Sequence, residues 1–239
     1  MRPTCSPASS VTGPPLRVAR IDLDALRHNV DLLRAPRFVA DMTGDAYGHG
    51  AVAVARAAVE AGAELAVRDD REERELRAAG IAGGISRLLD PDQDSSAALY
   101  GLGPTAALLG CRPAMRVSAG VISVKTIDAG EAVSYGYTWR ATVRSNLALV
   151  PLGYADGVTR AAGNVGQVWL DGALRPIVGR VAMDVIVLNL GTDIVGLGAE
   201  AVLYGDPDSA TVDDWARPLG ISPLEATAGI GARVRRVWT

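Results

Sequence analysis

The chain has 239 residues, 49% hydrophobic and 21% charged, which is ordinary globular composition and enough length for one large domain or two modest ones. A net charge of -3 provides no basic face for a phosphate backbone, so the expectation is no nucleic-acid partner. Cys5 and Cys111 fit no metal-ligand spacing, His28 and His49 are isolated, and no apolar run approaches membrane-spanning length, so the expectation is a cytoplasmic, reduced protein with no metal site.

Residues 1–16 are rich in Pro, Ser and Thr and read as a disordered tail; an Arg stands near the start, but no apolar run follows it as a signal peptide would require. Val18 to Leu23 reads as a short strand, and Asp24 as the cap of a helix with Leu26, Val30 and Leu33 on one face. Phe38 to Met42 is a second apolar run, followed by a loop from Gly44 to Gly50 and a helix from Ala51 to Ala61 closed by Gly62. Leu65 to Val67 then precedes a charged helix from Arg71 to Ala79, ended by Gly80. Strand and helix alternate here as in parallel-sheet proteins.

From Ala82 to Gly110 the pattern breaks into Gly-, Asp-, Ser- and Pro-rich sequence, where a boundary is expected. Beyond it, β-rich runs recur at Met115 to Thr126, Leu147 to Leu152, Gln167 to Leu170, Arg175 to Val181, Val185 to Leu190 and Ala199 to Leu203. Asp171-Gly172 between two of them is a hairpin signal, because both turn positions tolerate positive φ. Thr211 with Asp214 three residues on has the form of a capping box.

Several segments, in order, carry a resemblance to a known family. They are Ile21 to Leu26, Asp45-Ala46-Tyr47-Gly48-His49-Gly50, Ala98 to Leu102, Arg112 to Met115, Val133-Ser134-Tyr135-Gly136, Pro151 to Gly157, and Pro176 to Asp184. Together they resemble the alanine racemases. The resemblance implies an α/β plus all-β fold: a (β/α)8 barrel holding pyridoxal phosphate on a lysine, then a mostly antiparallel C-terminal β-domain that closes the barrel of another subunit. It implies two bases on opposite faces of the substrate, one of them a tyrosine that corresponds to Tyr135. By the same resemblance Tyr154 and Met183 lie at the substrate, and Tyr47 is a phosphate contact.

Two departures stand against an intact racemase. The cofactor lysine belongs two residues before Asp45, where this chain has Thr43, whose hydroxyl cannot form an imine. Of the 24 basic side chains only Lys125 is a lysine, and it falls in the β-rich half. A closed barrel takes ~250 residues, whereas only Arg17 to Gly110 precedes the β-domain motifs. Where the family carries an Arg and a Gly-Ile pair before Ala98, this sequence has Asp94, Ser96 and Ala97.

The expected organisation is therefore a tail at 1–16, a partial barrel-like α/β segment at 17–81, a linker with a barrel remnant at 82–111, and a β-domain at 112–239. Three functions stand open. The chain is a racemase homologue deficient in racemisation by itself, or an interaction partner that donates Tyr135 to an intact racemase as a homodimer or heterodimer, or an enzyme of another reaction that dispenses with pyridoxal phosphate.

Overall fold

A computed structural model describes residues 16–33, 37–87 and 93–239, so the tail expectation falls, apart from Leu16, outside the described residues. The chain opens with β1 (Arg17–Ile21), α1 (Leu23–Leu33), β2 (Val39–Asp41), the short turn α2 (Thr43–Tyr47) and α3 (Ala51–Glu60). β3 (Glu64–Val67), α4 (Asp70–Ala78), β4 (Ile85–Arg87), α5 (Gln93–Leu99) and α6 (Gly103–Leu109) follow.

Helical spacing places Leu26 and Val30 of α1 fully in the core, as do Val54, Ala55 and Ala58 of α3. The cap of α1 is Asp22, not Asp24: Asp22 Oδ1 accepts from the Ala25 N–H at 2.8 Å. Asp24 already lies within the helix and pairs with Arg27 across one turn. α4 is capped by Asp69, whose carboxylate accepts from the N–H groups of Arg71 and Glu72 and is thereby held below the usual carboxylate range.

β2, β3 and β4 form a parallel sheet in that order, with Ala40 opposite Leu65 and Leu65 opposite Ile85. Three strands cannot close a barrel. β4 is a short edge whose Arg87 pairs with Asp70 and Glu73, and charges of this kind blunt an open edge. In the expected linker, β4 and α5 flank residues 88–92, which lie outside the described residues.

The second half holds β5 (Met115–Gly120), β6 (Ser123–Ile127), β7 (Ala132–Val133), β8 (Trp139–Arg140), β9 (Ser145–Val150), β10 (Gln167–Leu170) and β11 (Ala173–Pro176). It ends with β12 (Ile186–Gly191), β13 (Glu200–Tyr204), α7 (Val212–Ala216), α8 (Pro223–Ala228) and β14 (Arg235–Trp238). The β-rich run from Met115 to Thr126 divides at Val121-Ile122 into β5 and β6, which enter different sheets. At the tip of the β10–β11 hairpin Asp171 and Gly172 have φ of 52° and 77°, as a type I′ turn requires. Thr211 caps α7 through the Asp214 N–H at 3.0 Å.

The larger sheet runs β11-β10-β13-β5-β1-β14 and the smaller β12-β9-β6. β1 therefore sits inside the β-domain sheet, antiparallel to β5 and parallel to β14, although in sequence it precedes the α/β segment. Ala19 and Ile21 are fully buried, on the face of β1 that packs into the core. Among the described residues the larger of two hydrophobic clusters extends from α1 and α3 through β3 to β12, so the α/β segment and the β-domain stabilise each other, and a smaller one gathers Ile127, Val133, Leu147 and Val178.

Candidate functional site

Asp41 ends β2 and Thr43 opens the turn α2, both at the C-terminal end of the parallel sheet. Both are buried, at 2% and 3% exposure. Asp41 Oδ1 accepts from the Thr43 N–H at 2.9 Å, and Oδ2 accepts from the Tyr47 hydroxyl at 2.8 Å and the Ser96 hydroxyl at 3.1 Å. The Asp41 carbonyl accepts from the Tyr100 hydroxyl at 2.7 Å. The end of α5 is thus fastened to β2.

Gly44, Asp45, Ala46, Tyr47 and Gly48 all have positive φ, from 49° to 82°. Each non-glycine residue there costs on the order of 1 kcal/mol, so the turn needs anchors. Asp45 Oδ1 accepts from the Ala51 N–H at 2.7 Å, capping α3. The ring of His49 stacks on Tyr100 at 4.3 Å, with its Nδ1 at 2.9 Å from the Ala46 carbonyl. Gly48 admits no side chain, because a Cβ would fall 2.4 Å from the Thr227 carbonyl oxygen. Burial is the main cause that raises the Tyr47 phenol above its ordinary pKa, and burial lowers that of His49 to about 4.

The β-domain residues singled out by resemblance form a second group. Tyr135 is 77% exposed, in a turn where Ser134 and Gly136 have positive φ and the Ser134 hydroxyl donates to the Arg180 carbonyl at 2.7 Å. The Tyr154 and Ala155 N–H groups donate to the carbonyls of Ala182 and Met183, each at 3.0 Å, so Tyr154 and Met183 come from adjoining loops. Arg160 stacks over Tyr154 at 5.9 Å. A groove of about 520 Å³ runs beside Tyr135, Tyr137, Arg180 and Val185.

These loops are tied by Asp156, which is fully buried. Its carboxylate bonds Arg17 at 2.7 Å, Arg233 at 3.3 Å and the Gly153 N–H at 2.9 Å, while Arg233 continues to Asp184 at 2.7 Å. The first strand, the Tyr154 turn, the segment after Met183 and the run into β14 are thereby joined at one carboxylate.

Of the five expected residues, Thr43 and Tyr47 lie at Asp41, Tyr135 lies beside Arg180, and Tyr154 and Met183 lie on the loops tied by Asp156. Among the described residues no hydrogen bond or ring contact joins the two groups. A cavity of about 660 Å³ between Ala51 and Trp238 is lined by none of the five. Lys125 stands on the edge strand β6, opposite Leu147, in neither group. Sequence reasoning missed Asp41 and Asp156 as hubs. For Asp41 a signal was present: a lone acid within the apolar run Phe38 to Met42.

A phosphorylated aldehyde held as an imine requires an amine and free donors for its phosphate. Position 43 offers a hydroxyl, and the hydroxyls of Tyr47 and Ser96 are spent on a carboxylate, which repels phosphate. Among the described residues, those around Asp41 do not fit covalently held pyridoxal phosphate.

The fold is an open parallel α/β unit sharing its core with an antiparallel β-domain, with exposed tyrosines on loops of the latter. The chain belongs to the alanine racemase family: residues 21–107 match the alanine racemase N-terminal domain and residues 114–238 the C-terminal domain. It is 43% identical over 148 residues to an alanine racemase of Streptomyces coelicolor, a match covering 59% of this chain and 38% of that relative's length. The crystal structure of alanine racemase from D-cycloserine-producing Streptomyces lavendulae superimposes with a TM-score of 0.87 at 29% identity, spanning 95% of this chain and 98% of that one. The Bartonella henselae alanine racemase with covalently bound pyridoxal phosphate shares the fold, with a TM-score of 0.81 at 18% identity over 95% of this chain and all of that one.

Proposed function

We propose that this chain is a shortened racemase homologue that keeps the β-domain serving the family's pyridoxal-phosphate-dependent interconversion of L- and D-alanine. As a lone chain it does not racemise alanine at a useful rate. The observation that carries this reading is Thr43, a buried hydroxyl where the resemblance places the cofactor amine. Loss of one positioned proton-transfer group typically costs ~10²–10⁴-fold, and here the cofactor's attachment goes with it. Tyr135 is the descendant of the family's tyrosine base, Tyr154 and Met183 of its substrate contacts, and Tyr47 of its phosphate contact. Among the described residues no helix is long and apolar enough to cross a membrane. Chiral analysis of alanine incubated with the chain and pyridoxal phosphate tests the reading, and turnover that depends on Tyr135 overturns it.

A second reading, donation of Tyr135 to an intact racemase, is favoured by the exposure of Tyr135, Tyr137 and Met183 at 77%, 67% and 51%. Mixing this chain with a racemase whose own equivalent tyrosine is phenylalanine tests it. Restored activity that disappears with Tyr135→Phe in this chain supports donation, and absence of binding by a strictly monomeric chain removes it.

A further inference from the structure

We propose that the Thr43 N–H and the hydroxyls of Tyr47 and Ser96 form a small oxyanion cradle that the chain fills with its own Asp41 carboxylate. Asp41 acts there as a built-in anionic ligand. The three groups that bond its side chain are all neutral donors, so the carboxylate is held as a bound anion would be, by convergent hydrogen bonds. Its 2% exposure puts it out of reach of solvent.

The Tyr47 wall of the cradle is held by contacts that do not involve the carboxylate. Tyr100 donates to the Asp41 main-chain carbonyl, and its ring packs edge-on against Tyr47 at 5.7 Å and face-on against His49 at 4.3 Å. Removing the Asp41 side chain would therefore leave the donors in place and orphaned, and orphaned buried donors take an acceptor of matching size.

A second carboxylate nearby does the same. Glu72 accepts from the N–H of Gly44 at 3.1 Å and of Arg68 at 2.8 Å, bridging the segments that follow β2 and β3. The carboxyl end of parallel strands is where open α/β sheets receive ligands, and here backbone donors at that end are taken by the chain's own acids.

Size sets the ligand class. The space left by Asp41→Ala is that of a carboxylate, so the vacated cradle takes formate and excludes the bulkier phosphate. This goes beyond the racemase reading, and its assay contains no pyridoxal phosphate, so the two fail separately.

The test is thermal melting of the full chain in formate against chloride at equal ionic strength. The wild type is expected to melt at the same temperature in both. Asp41→Ala is expected to melt lower in chloride and to recover by roughly 5 °C in saturating formate but not in phosphate. Adding Tyr47→Phe and Ser96→Ala is expected to abolish the recovery. Asp41→Asn, which fills the space without the charge, is expected to ignore formate. If Asp41→Ala is unfolded in chloride, its refolding in formate is the readout. A folded Asp41→Ala insensitive to formate, failure to refold with it, or equal recovery in the triple variant overturns the proposal.

Discussion

The Tyr47 hydroxyl donates to Asp41 Oδ2 at 2.8 Å, so a side chain resembling a family phosphate contact is engaged within the chain itself. That bond also steadies a turn of consecutive positive-φ residues. Tyr47→Phe removes a hydrogen bond to a charged acceptor and is expected to cost about 1.5–3 kcal/mol in urea denaturation, with the ring packing on Tyr100 preserved. An unchanged midpoint would show that the Asp41 cluster does not contribute to stability.

Asp156 is fully buried and holds Arg17, whose side chain is only 15% exposed. Asp156→Ala leaves that guanidinium without its anion and is expected to cost ~3–5 kcal/mol. Arg233, with a side chain 43% exposed, faces the same carboxylate from solvent, and Arg233→Gln is expected to cost much less. Urea midpoints of the two variants in the reverse order would contradict this assignment.

His49 is buried and its pKa is lowered from 6.5 to about 4, chiefly by desolvation. Its neutral form is the one the fold accommodates, so its contribution is fully present above pH 6.5 and is lost as pH falls from there to about 4. Glu200, held down to about 2 by its hydrogen bond to Arg116, adds a separate loss only below its ordinary 4.5. Stability measured between pH 6.5 and 4.5 should therefore decline in the wild type and flatten in His49→Gln. A decline of equal slope in both proteins would assign it to other groups.

Gly153 lies where a Cβ would stand 2.3 Å from the Met183 carbonyl oxygen and 2.5 Å from that of Ala182. Gly153→Ala must part the two loops that carry Tyr154 and Met183, and is expected to cost about 1–3 kcal/mol. A near-UV spectrum and melting temperature equal to the wild type would show that these loops do not pack as described.

The local elements were legible because their signals are local. The spacing of Leu26 and Val30, the glycines after α3 and α4, and the Asp171-Gly172 turn each dictate their structure within a few residues. β14 was not legible: its residues, Arg235 to Trp238, show little apolar alternation, and it is a strand because β1, more than two hundred positions earlier, offers it an edge. For the same reason β1 looked like part of the α/β segment that follows it. Of the site, the motif residues could be placed but their partners could not. Asp41 meets Ser96 and Tyr100 only once α5 folds back onto β2, and Asp156 meets Arg17 and Arg233 only when both ends of the chain enter one sheet.

The proposed racemase reading requires that no amine of this chain take the place of the family's cofactor lysine. It is tested most directly by incubating the full chain with pyridoxal phosphate, reducing with borohydride and mapping the modified peptides by mass. The expected result is no stoichiometric adduct within residues 16–111 and no spectral change attributable to a defined site. A stoichiometric adduct at one amine, with alanine racemisation that is lost when that residue is replaced, would contradict it.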